Sequence, residues 1–141
     1  MNRNVERSYP YAAAVTAAVG CYYGGLNFPK GQDVLSASIT IGAIFTGFLA
    51  TSKSLAISID TPAMNELRKT RFFDLMVQYL REAIYASLLL GAFGIAGFFH
   101  DPQSPPRWYG VVWVLLIVST FLTFIRVTNA FLELIQSRKK G

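Results

Sequence analysis

The chain has 141 residues, of which 52% are hydrophobic and 15% charged, with a formal net charge of +5 at pH 7. Soluble domains carry roughly a quarter of their residues charged, so this balance argues for a bilayer as solvent. The positive excess does not argue for direct nucleic-acid binding, because the basic residues stand at the ends of apolar segments instead of lining one polar face.

Four apolar stretches follow one another, joined by short polar or proline-bearing connections. The first, residues 10–28, ends in the turn-rich string Asn27-Phe28-Pro29-Lys30-Gly31. Arg3 and Arg7 ahead of it, with Ala18-Val19-Gly20-Cys21, loosely resemble a lipoprotein leader; the segment is read as a retained span. The second stretch, residues 34–59, has Asp33 placed as an N-cap.

Thr61 and Pro62 then read as cap and first residue of a new helix. No glycine or proline interrupts the chain from Pro62 to the third span at 83–99, so one continuous helix is expected. Its cytoplasmic part is 62–82. His100-Asp101-Pro102-Gln103-Ser104-Pro105-Pro106 breaks the pattern, and the fourth span, 108–130, follows with Ser104 as cap and Pro105 at the first helical position.

A bilayer core takes about 20 helical residues, and helices satisfy every backbone hydrogen bond internally, as lipid demands. The expected fold is therefore all-α, a membrane four-helix bundle with cytoplasmic helical extensions. Eleven basic residues, Arg3 through Lys140, fall on one side under this topology, against Lys30 and Arg107 on the other. That asymmetry puts both termini in the cytoplasm. Trp108, Tyr109 and Trp113 then lie near the outer interface.

The chain holds one cysteine, Cys21, and one histidine, His100. No internal disulfide is possible, and no Cys/His set has metal-ligand spacing. No nucleophile triad, carboxylate pair, Walker loop or GxGxxG occurs, so neither an enzyme nor a cofactor or metal site is expected.

Four features can carry function. Small residues recur at intervals of four: Gly20 and Gly24, flanked by Ala13, Ala17, Cys21 and Gly25; Ala43 and Gly47; Ser87 and Gly91, followed by Gly94 and Gly97. Such residues let helix backbones approach closely, either within one bundle or between copies in a homo-oligomer. Charges at membrane depth come second: Lys53, Arg81, Glu82, Arg126 and Glu133. They either snorkel and pair at the cytoplasmic interface, or line a vestibule or pore mouth. The second span is rich in Ser and Thr, but Ser38, Thr46 and Ser52 share no single stripe, and hydroxyls also bond their own backbone.

The last feature is the basic and aromatic run near Leu67, Arg68, Lys69, Arg71 and Phe72, together with Arg138, Lys139 and Lys140. It can pack on the bundle, dock a cytoplasmic protein partner or meet anionic lipid.

The layout of residues 33–97, a Ser/Thr/Gly-bearing span, then Leu67-Arg68-Lys69-Thr70-Arg71, then an aromatic helix re-entering with Arg81-Glu82-Ala83-Ile84, resembles the small membrane proteins of bacterial anti-phage and phage-exclusion systems, the RexB-like and KwaA-like proteins. That resemblance implies a homo-oligomeric membrane effector or sensor acting through a pore or altered permeability. The other reading is a non-conducting membrane anchor that recruits a soluble cytoplasmic partner. A transporter ranks last, since paired broken helices are absent.

Overall fold

The computed structural model describes residues 3–24, 31–58, 60, 62–99 and 106–138, with side chains except at 3–7, 63, 64, 67 and 133–138. Among these the fold is all-helical: α1 (Arg3–Tyr23), α2 (Gln32–Ser58), α3 (Pro62–Arg68), α4 (Arg71–Gly97) and α5 (Arg107–Arg138). The long helices form a row in which α1 packs on α5, α5 on α4, and α4 on α2, with short α3 against α4. Among the described residues, α2, α4 and α5 are long and apolar enough to cross a membrane. α1 is not one of these three; its first half carries Arg7, Ser8, Tyr9, Pro10 and Tyr11.

The α2–α4 pair follows from heptad spacing. α2 buries Leu35, Gly42, Leu49 and Ala56, each seven residues from the last. α4 buries Phe73, Met76, Leu80, Ala83, Ser87, Leu90, Gly94 and Gly97, alternating steps of three and four. Seams of this period give the shallow crossing of antiparallel bundle helices. Sizes complement along the seam: Ile39 lies over Gly94 and Leu35 over Gly97 at one end, and small Ala56 joins Phe73 in the core cluster at the other. At the middle Gly42 meets backbone directly. A Cβ there would stand 2.8 Å from the Ser87 carbonyl oxygen and 2.9 Å from the Gly91 nitrogen.

α5 closes the bundle along α4 and reaches α2 through aromatic rings. Phe45 stacks on Phe124 with centroids 4.3 Å apart and meets Phe121 edge-on at 5.4 Å. Trp113 Nε1 donates to Ser38 Oγ at 2.7 Å, while Ser38 donates back to the Val34 carbonyl. Tyr109 stacks on Phe93 and donates its hydroxyl to the Phe93 carbonyl at 2.8 Å.

Several expectations are corrected. The helix expected to run unbroken from Pro62 is divided at Lys69-Thr70, where Thr70 takes the extended angles φ −86°, ψ 143°. The reason is tertiary. Folding α3 back lets Arg68 Nη2 donate to the Ile57 carbonyl, one of the orphan acceptors that end α2, and Asn65 bond Asp60. Asp33 lies inside the first turn of α2 and serves the helix dipole there. α1 begins at Arg3, seven residues before the expected start, with Pro10 inside the helix. Thr61, Ser104 and Pro105, read as helix-start residues, lie outside the described residues.

The Gly42 contact generates a test. Gly42→Ala should lose about 1–3 kcal/mol from overpacking against main chain, whereas Gly47→Ala, with open space at its Cβ, should change stability little. Thermal unfolding of both variants in detergent micelles checks this, and equal behaviour would contradict the packing described.

Candidate functional site

The deepest charge in the bundle is Arg126 on α5, only 4% exposed. It lies within α5, a helix long and apolar enough to cross a membrane. A cation at such depth is costly unless matched. α4 supplies the match. Arg126 Nη2 bonds Glu82 Oε2 at 2.5 Å, and the guanidinium carbon sits 4.1 Å from the centroid of the Tyr79 ring. Glu82, 16% exposed at its side chain, also accepts from Gln78 Nε2 at 3.4 Å.

Helical spacing makes this cluster possible. Gln78, Tyr79 and Glu82 are three and four residues apart, hence on neighbouring rows of α4. The antiparallel α4–α5 register carries Arg126 to them, and the same register lets Thr120 Oγ1 reach the Ala86 carbonyl at 3.2 Å. One charge is thus met by a carboxylate, and by the negative face of an aromatic ring.

The other charges expected at membrane depth do not join the cluster. Lys53 is half-buried on α2 and makes no ion pair among the described residues. Arg81 is exposed, on the side of α4 away from its buried seam. Glu133 lies on α5, but its side chain is outside the described set. A single vestibule holding Lys53, Arg81, Glu82 and Arg126 is therefore not formed within the chain.

The small residues divide into two groups. Ser87 and Gly91 lie where α2 crosses α4, and the partner that fits against them is Gly42, which the four-residue pattern did not single out. Its signal was the heptad Leu35, Gly42, Leu49, Ala56. Gly20, Gly24, Ala43 and Gly47, by contrast, are exposed, and nothing lies within 4 Å of a Cβ built on Gly20 or Gly47. On α1 the residues buried in the fold are Pro10, Ala14 and Ala18, one position along from the expected Ala13 and Ala17. Four of the α2 hydroxyls close on their own helix: Ser38 donates to the Val34 carbonyl, Thr40 to Ser36, Thr51 to Gly47 and Ser58 to Ser54.

At the turn between α3 and α4, Arg68 is half-buried and engaged with Asn65 and Ile57. Lys69 pairs with Glu66 at 2.8 Å in the open, Arg71 is exposed, and Phe72 is half-buried. The Leu67 and Arg138 side chains, and Lys139 and Lys140 entirely, lie outside the described set.

Comparison of the chain with protein-family models, with curated proteins and with solved structures finds no match. Among the described residues no group of three or more His, Cys, Asp and Glu is placed to hold a metal ion. The arrangement supports charge compensation within apolar surroundings.

Removing one partner of a buried pair strands the other. Glu82→Gln should therefore destabilise by about 3–5 kcal/mol and lower the amount of chain held in the membrane fraction. The exchanged pair Glu82→Arg with Arg126→Glu should recover part of that loss. A double variant no better than either single one, in detergent melting and membrane yield, would show that pairing is not what matters at these positions.

Proposed function

We propose that this chain is a multi-pass cell-membrane protein with four spans and cytoplasmic termini, acting as a non-catalytic, non-conducting anchor for a cytoplasmic partner. The observation that supports this reading is the neutralisation of Arg126 by Glu82 and Tyr79 inside one chain. A pore ringed with positive charge needs cations directed at its axis, and here the deepest cation is turned into the α4–α5 seam. α1, less apolar than the other long helices, crosses the bilayer in this reading by leaning on α5 through Pro10, Ala14 and Ala18. The surface offered to a partner is the turn from α3 into α4, with Lys69 and Arg71 outward.

The oligomeric effector reading, with the defence setting that the resemblance in layout suggests, is favoured by a different observation. Gly20, Ala43 and Gly47 present close-approach surfaces that no helix of the same chain uses. Another copy could occupy them without disturbing the Arg126 pair.

Membrane potential in cells expressing the chain alone separates the two readings. Expression of wild type should leave the potential of intact cells unchanged while the protein is recovered from the membrane. Rapid depolarisation would sink the anchor reading and leave a conducting oligomer in its place. Independently, Ala43→Leu with Gly47→Leu should leave monomer stability near wild type, and if copies associate there, crosslinked dimer should fall several-fold.

A further inference from the structure

The stretch between α2 and α4 is short, yet it is held in place at both sides. Arg68 ties α3 to the last carbonyls of α2, Asn65 bonds Asp60, and α3 packs on α4. α2 and α4 are both long and apolar enough to cross a membrane, and in the membrane reading above this turn joins them on the cytoplasmic side. The tethering keeps it from swinging out into bulk water. Two cations flank the extended residue Thr70. Lys69 is 72% exposed and held only by an equally exposed Glu66, a weak kind of pair. Arg71 is exposed and makes no ion pair among the described residues. In the first turn of a 27-residue helix a cation opposes the helix dipole, so Arg71 gains nothing there from its own helix.

Cations fixed on a turn that joins two membrane-suited helices, and that Arg68 ties to the α2 end carrying exposed Leu55 and Ile57, meet the chemistry of one kind of molecule: a phosphodiester on two acyl chains. We propose that the α3–α4 turn is a docking site for anionic phospholipid, with Lys69 and Arg71 as its phosphate-binding cations and Glu66 as an internal competitor for Lys69. The proposal rests on the membrane reading above and concerns one place on the cytoplasmic side, not the general positive charge of that side.

The test is native mass spectrometry of the purified full chain, released from detergent micelles doped equally with dioleoyl phosphatidylglycerol and dioleoyl phosphatidylcholine. Wild type should retain phosphatidylglycerol several-fold over phosphatidylcholine. Lys69→Gln with Arg71→Gln should bring the ratio near unity, and Glu66→Gln, which frees Lys69, should raise it. Lys30→Gln with Arg107→Gln removes the same charge on the opposite side and should leave the ratio as in wild type. Equal retention of both lipids by wild type, an unmoved ratio in the turn variants, or an equal fall in the control would each overturn the proposal. Extraction of the chain from cell membranes by alkaline carbonate would instead overturn the membrane reading itself, so the two failures are distinct.

Discussion

A guanidinium that is 4% exposed within an apolar helix must be answered by its neighbours, and Arg126 organises one half of this fold through that requirement. Glu82 meets the charge and Tyr79 covers it, which places α4 and α5 in one antiparallel register. The bonds from Thr120 to the Ala86 carbonyl and from Tyr109 to the Phe93 carbonyl belong to that same register, spread along the helices away from the ion pair. Slipping α5 by one turn would strand the pair and the Tyr109 hydroxyl, while Thr120 would keep its 2.8 Å bond to the Leu116 carbonyl. Polar groups are few here, and in apolar surroundings few suffice, because each unmatched one is expensive.

The other half depends on shape. In lipid there is little hydrophobic gain from bringing two apolar helices together, so close backbone approach and dispersion contacts must hold them. α2 and α4 achieve this by exchanging bulk along the seam. Ile39 fills the space over Gly94 and Leu35 that over Gly97, Gly42 lets main chain meet main chain, and small Ala56 shares the core cluster with Phe73. The Phe45, Phe121 and Phe124 rings then tie α2 to α5. Two buried hydroxyls, Ser119 Oγ and Thr46 Oγ1, find no hydrogen-bond partner among the described residues. They contrast with Thr40, Thr51, Ser58 and Thr123, each of which bonds the carbonyl four residues back.

With the strongest charge turned inward, what the chain presents outward is of two kinds. Along its long helices it shows large apolar side chains such as Ile44, Phe48, Tyr85, Leu89 and Ile125, interrupted by the small residues Ala43 and Gly47. At the α3–α4 turn it shows Lys69 and Arg71 on a segment that Arg68 has fastened. A recruiting or lipid-binding role uses the second surface and an assembling role the first. Neither calls on the Glu82–Arg126 pair, whose task is to let α5 carry a charge at depth.

Composition and period alone determined that the chain is helical and that α2, α4 and α5 suit a membrane, because these depend on residue-by-residue hydropathy. They placed the start of α1 seven residues late, however, and ran α3 into α4. The candidate charges were legible too, Glu82 and Arg126 among them. Their pairing was not, since it depends on which helix lies beside which, and Lys53, Arg81 and Glu133 offered themselves equally well by sequence. The same ambiguity hid the role of Gly42, for a glycine's worth lies in what faces it. Only the tertiary structure decided that Gly20 and Gly47 face outward while Gly42 faces in, and that a stretch without glycine or proline breaks at Thr70. In that last case the bend brings α4 alongside α2, and long-range packing of this kind overrides a weak local preference for helix.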